Sequence, residues 1–161
     1  VAATMTTAIP ERLADGRPVQ VGTEDAATLV FRTDRGAIGS LVVSQVTPGR
    51  KNRLWFEIDG TSGAASFDHE QPELAWFADA AGDASLFARG SGAPHPTDQL
   101  PGGHPQGWDS AFTSFIADVY AAVEGEAPEG LPTFADGART AHLVEAVVAS
   151  ARNHEWTEIT R

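Results

Sequence analysis

The chain has 161 residues, 42% of them hydrophobic, and a formal net charge of −11 from 22 acidic and 11 basic side chains. That length suits a single domain with a sizeable core, and the negative charge argues against a nucleic-acid or anionic-membrane surface, which would repel it. Cysteine is absent, which excludes disulfides, thiolate metal sites and cysteine nucleophiles. No apolar run approaches the roughly 18 residues of a membrane span, and no segment resembles a signal peptide, so the expected setting is the cytoplasm.

Val1 lies inside an apolar, β-prone stretch and is not a start residue, so an upstream part is expected. Val1 to Ile9 reads as a strand ended by Pro10, and Glu11 to Pro18 as a polar turn region. Ala26 to Thr33 alternates, with Leu29 and Phe31 on one face and Thr28, Val30 and Arg32 on the other. Asp34, Arg35 and Gly36 signal a hairpin. Ala37 to Val46 follows, and its unbroken Leu41, Val42 and Val43 suit a central strand covered on both faces. Arg53 to Ile58 sets Leu54, Phe56 and Ile58 against Trp55 and Glu57. Ala64 to Asp68, Glu73 to Ala78 and Ser85 to Arg89 are shorter strands between tight turns.

Gly90 to Gly107, rich in Gly, Pro and His, reads as an irregular loop of the kind that often carries function. Then the period changes. Phe112, Phe115, Ile116, Val119, Tyr120 and Val123 fall at helical spacing, and Gly125 closes that helix. Thr133 can cap a second helix, with Asp136 reaching back and Leu143, Val144, Val147, Val148 and Ala151 as its buried stripe. Glu155 to Thr160 reads as a last strand. Strands first and helices last imply an α+β fold: one domain over residues 1–161, an open, mostly antiparallel sheet, helices packed on one face. The other face then needs a cover, and pairing between subunits would supply it.

The motifs speak mainly by absence. No G-x-G-x-x-G stands between a strand and a helix, and no P-loop is present. The histidines, His69, His95, His104, His142 and His154, form no H-E-x-x-H pair or tetrahedral spacing, so no metal is expected. No G-x-S-x-G elbow presents a serine. Glu70 and Glu73 flank Pro72 and read as a solvated hairpin rather than an acid/base pair.

Two polar segments stand out. Ser44 to Arg53 sets Arg50, Lys51 and Asn52 between apolar strands, where they can donate to sugar hydroxyls or a phosphate, or serve only as a soluble hairpin tip. Pro101 to Trp108 places His104 and Trp108 in a Gly-rich loop, where they can hold a polyol by hydrogen bonds and ring stacking, or where Trp108 merely packs the start of a helix.

The run SQVTPGRKNRLWFEID (44–59) resembles the C-terminal domain of the glucose–fructose oxidoreductase, inositol dehydrogenase and rhizopine catabolism family, Gfo/Idh/MocA. So do Gly60-Thr61-Ser62-Gly63 with the following FDHEQPEL (67–74), PGGHPQGWDSAF (101–112) and LPTFADGARTAHLVEAVVASARNHEW (131–156). The resemblance implies a Rossmann domain followed by this α+β domain, acting with NAD or NADP on a carbinol carbon of a sugar or polyol. It implies a homo-oligomer paired through the sheet, with loops closing over substrate. The family's glycine-rich turn, Glu-Lys-Pro motif and Asp…His pair have no counterpart in this chain. The chain alone is therefore expected to bind no cofactor, to hold no catalytic residue and to be inactive. Arg50, Lys51, Asn52, His104 and Trp108 remain as substrate contacts. The alternative is a stand-alone carbohydrate-binding or dimerisation module.

Overall fold

The structure, a computed structural model, describes residues 1–92 and 98–159. Its strands are β1 (Ala2–Thr6), β2 (Glu11–Ala14), β3 (Arg17–Gln20), β4 (Ala26–Arg32), β5 (Ile38–Ser44), β6 (Trp55–Gly60), β7 (Gly63–Asp68), β8 (Leu74–Asp79) and β9 (Ala84–Ala88). Two helices follow, α1 (Trp108–Val123) and α2 (Phe134–Asn153). The fold is α+β with open sheets, and the ladders among the described residues are antiparallel. The described residues form three sheets, in the orders β1-β4-β5, β2-β3 and β6-β7-β8-β9, where one had been expected. No helix of the described residues is long and apolar enough to cross a membrane.

The chain divides into two compact units, Val1–Pro48 with Pro132–Arg161, and Gly49–Leu131. In the first, β4 is central and pairs with both β1 and β5; its Leu29 is buried, as the alternation predicts. The turn between β4 and β5 closes through Thr33 N–H to the Ala37 carbonyl, 2.8 Å, with Gly36 at φ 87°. Helix α2 lies against β1. Its predicted start holds: Thr133 Oγ1 accepts from Asp136 N–H, while the Asp136 carboxylate accepts from the Thr133 N–H and hydroxyl. Those Thr133 donors keep the Asp136 carboxyl below its ordinary range.

Several expectations change. Glu11 to Pro18 is not only a turn: β2 and β3 form a hairpin around Asp15 and Gly16, both at positive φ, the geometry that Asp-Gly favours. Strand β5 is an edge strand, not a central one, and Leu41, Val42 and Val43 are all exposed. Of the predicted stripe of α2, Ala151 is buried and Val147 and Val148 are half-buried, while Leu143 and Val144 are exposed; Ala146 and Ser150 are buried beside Ala151. Residues 155–159 form no ladder strand. Thr157 only exchanges a pair of 2.8 Å hydrogen bonds with Val1; Thr160 lies outside the described residues.

In the second unit, β6 to β9 form a meander, and α1 runs with the predicted period to Gly125, which sits at φ 98° where only glycine is comfortable. The apolar stripe of α1, from Phe112 to Val123, is exposed, and the less exposed positions are Ser110, Ser114, Asp118, Ala121 and Ala122. On β6, Trp55, Phe56 and Ile58 are likewise exposed, although they occupy both faces of the strand. The chain has 12840 Å² of accessible surface. Two compact units of half its mass would together expose only about 9,300 Å².

Candidate functional site

The segment leading into β6 is tied to the connection between β7 and β8. Glu70 accepts from Arg50 Nη1 at 2.6 Å and from the Lys51 N–H at 2.9 Å, one carboxylate oxygen each. Asp68 accepts from Arg53 Nε and Nη2 at 3.0 and 2.8 Å, and its other oxygen takes the Glu70 N–H. The Arg53 guanidinium also stands 5.8 Å from the Trp55 ring centroid, within cation–π reach. Gly49 and Asn52 are at φ 91° and 71°, so the tip turns tightly enough to bring both donors onto one carboxylate. Arg50 thus gives one guanidinium N–H to holding the turn, and Lys51 and Asn52 are exposed.

These bonds set a pH dependence. The Lys51 N–H and then Arg50 hold the Glu70 carboxyl below its ordinary range; Arg53 and then the Glu70 N–H do the same for Asp68. A carboxylate whose pKa is lower in the folded state stabilises fully above its unfolded pKa, and the contribution fades as pH falls through the folded value. Glu70→Gln is therefore expected to lower the melting temperature at pH 7. The gap to the parent should close in a titration of melting temperature carried below pH 4. A gap independent of pH would mean that shape, not charge, holds the turn.

The second segment is tied to the same connection. Glu73 accepts from the Gln106 N–H at 2.8 Å with one oxygen and from Arg89 Nε at 2.8 Å with the other. The His104 N–H donates to the Pro101 carbonyl, 3.1 Å, closing a tight turn. Trp108 opens α1 with 72% of its surface exposed. Its ring stacks on Phe112, centroids 5.2 Å apart and planes 9° apart. One aromatic face of the pair is braced, and the other side of Trp108 is open to a partner.

Glu70 and Glu73 are thus neither a solvated hairpin nor an acid/base pair. They are ion-paired anchors, and through them one five-residue connection carries both predicted polar segments. Asp68 and Arg89 complete the anchoring and were not singled out in the sequence. The only signal was chemical: acids at and just after the end of β7, arginines before β6 and after β9. Among the described residues no group of three or more His, Asp or Glu could hold a metal; His95 lies outside them.

Among the described residues, neither helix start is built as a dinucleotide's seat. A phosphate cradle needs free N–H groups at a helix start that follows directly on a strand. The Thr133 side chain takes the Asp136 N–H in the first turn of α2, and neither helix start follows directly on a strand. These residues do not fit NAD(P).

Residues 1–66 match the GFO/IDH/MocA C-terminal domain, a stretch that includes Arg50, Lys51 and Asn52 but not His104 or Trp108. The chain is 28% identical over 151 residues to a levoglucosan dehydrogenase of Pseudarthrobacter phenanthrenivorans, covering 90% of this chain and 38% of that protein. The fold superposes on an oxidoreductase domain protein from Kribbella flavida with a TM-score of 0.86 at 30% identity, over 99% of this chain and 44% of the other. A levoglucosan dehydrogenase in complex with NADH and L-sorbose gives 0.86 at 27% identity over the same shares. The chain therefore spans less than half the length of these relatives. Its first 66 residues match the Gfo/Idh/MocA C-terminal domain, and its fold is similar to part of these oxidoreductases.

Proposed function

We propose that this chain is the substrate-facing and subunit-pairing part of an NAD(P)-dependent sugar or polyol oxidoreductase in the cytoplasm, working as a single domain joined to a nucleotide-binding one. The observation that carries the reading is the fixing of two donor-rich segments, around Lys51 and His104, on one connection. The likeness to a levoglucosan dehydrogenase along 90% of the chain supports it. In this reading the nicotinamide, held elsewhere, exchanges a hydride with the substrate's carbinol carbon. Lys51, Asn52 and His104 hold hydroxyls, Arg50 adds a charged donor beside them, and Trp108 stacks on the ring's C–H face. The proton is moved by side chains that this chain does not contribute.

Two measurements test it. Titration calorimetry of this chain with NAD(H) and NADP(H) is expected to give no micromolar binding, since neither helix start offers free N–H groups after a strand. Micromolar affinity for any of the four would overturn the division of labour. Levoglucosan is the first substrate to assay with the complete enzyme.

The second concerns assembly. Apolar side chains on β5, on both faces of β6 and along α1 need cover. The roughly 3,500 Å² by which the surface exceeds that of two compact units is more than a standard protein interface buries. At about 25 cal/mol per Å² of apolar area, part of it suffices to drive association. Sedimentation at micromolar concentration is expected to show dimers or tetramers, and a clean monomer at high concentration would count against subunit pairing.

A further inference from the structure

Arg89, at the C-terminal end of β9, is the most enclosed of the ion-paired arginines, its side chain 15% exposed against 49% for Arg50. Its guanidinium uses all three nitrogens. Nε donates to Glu73 Oε2 at 2.8 Å, Nη1 to the Leu100 carbonyl at 2.9 Å, and Nη2 makes a short bond to the His104 carbonyl. Its backbone N–H donates to the Glu73 carbonyl, 2.8 Å. Glu73 in turn takes the Gln106 N–H on its other oxygen.

The loop on the far side is knitted to the same point. The Gln106 side-chain oxygen accepts from the N–H groups of Gln99 and Leu100, at 3.0 and 3.2 Å. Gln99 Nε2 reaches α1, donating to the Ser110 carbonyl at 2.9 Å and to Ser114 Oγ at 2.7 Å. Gly90 and Gly102 touch backbone to backbone; a Cβ on Gly90 would stand 2.5 Å from Gly102 Cα. The base of the loop is closed, and Arg89 is its central donor.

We propose that Arg89, oriented by Glu73, is a positioning residue that sets His104 and the first turn of α1 for substrate. This rests on the reading that His104 faces substrate. A planar fork of five N–H donors can serve a carboxylate and two carbonyls together; an ammonium on a flexible stem cannot reproduce that geometry. Losing one arm frees the His104 carbonyl, and with it the turn that carries the imidazole. Arg89 does not touch substrate, so substrate affinity should change while the chemical step does not.

The test is a double-mutant cycle in the complete enzyme, the chain joined to its nucleotide-binding domain. Arg89→Lys and His104→Ala are each expected to raise KM a few-fold, the loss of one hydrogen bond to a neutral group, with kcat within about twofold. Arg89→Lys in the His104→Ala background should add little further. Full additivity, or an unchanged KM for Arg89→Lys beside a raised KM for His104→Ala, overturns the clamp and leaves the substrate-facing reading standing. An unchanged KM for His104→Ala overturns that reading itself. Should Arg89→Lys fail to fold, Glu73→Gln replaces it. That change keeps an acceptor for the Gln106 N–H and removes the carboxylate that accepts from Arg89 Nε, leaving Asp98, 3.9 Å from Nη1, as its ion-pair partner, and the same cycle decides.

Discussion

Replacing Ser150 with alanine is expected to destabilise the chain by about 1–3 kcal/mol, the desolvation penalty of leaving buried polar groups without a partner. Ser150 is 0% exposed. Its hydroxyl oxygen accepts from the Ala3 N–H at 3.0 Å, and its proton goes to the Glu155 carbonyl at 2.6 Å. One side chain therefore ties β1, the C-terminal turn of α2 and the segment after it. Alanine fits the space but leaves the Ala3 donor facing a wall of helix. A domain's whole stability is about 5–15 kcal/mol, so the change should show as a clear drop in the urea midpoint with the slope unchanged. Ser150→Thr keeps the hydroxyl and adds a methyl group, separating the hydrogen-bond loss from crowding. A midpoint for Ser150→Ala within error of the parent would mean that water replaces the hydroxyl.

Truncating the proposed substrate contacts should have the largest functional effect. Lys51→Ala, Asn52→Ala and His104→Ala in the complete enzyme are each expected to raise KM, by a few-fold for a neutral hydrogen bond and up to about a hundredfold for a charged one. The changes in kcat should be smaller, because a residue that holds ground and transition states alike alters binding more than chemistry. Lys51 is expected to lie at the upper end. Its backbone N–H, not its ammonium, is used by Glu70, so its truncation should leave the turn in place and the melting temperature nearly unchanged. Steady-state kinetics beside thermal melts decide the matter. Normal kinetics with a lowered melting temperature would make the segments structural, and a loss of kcat by orders of magnitude would put catalysis in this chain.

The places where sequence reading stopped short have physical causes. The hairpin of β2 and β3 was hidden because strands of four residues, all exposed, carry no alternation of apolar and polar residues; only its Asp15-Gly16 turn left a mark. Strand β5 read as central because Leu41, Val42 and Val43 make both its faces apolar. That pattern records what a strand needs covered, not which molecule covers it. The same holds for α1, whose period was legible from Phe112 to Val123 although its apolar stripe is exposed.

By itself the sequence determined the α+β class, six of the nine strands nearly to their ends, both helices with the Thr133 cap, the two polar segments and the resemblance to an oxidoreductase domain. These are local properties, set by side-chain period, turn residues and caps within about ten residues of each other. Tertiary structure alone decided that Glu70 and Glu73 are anchors rather than solvated acids, that Arg89 pins a loop, and that a serine rather than the valines of α2 is its most deeply buried residue. Each of those depends on partners far apart in the chain, Ala3 with Ser150 or Glu73 with Gln106. A charged or hydroxyl side chain looks the same in sequence whether it meets water or a buried donor, and only the fold chooses between them.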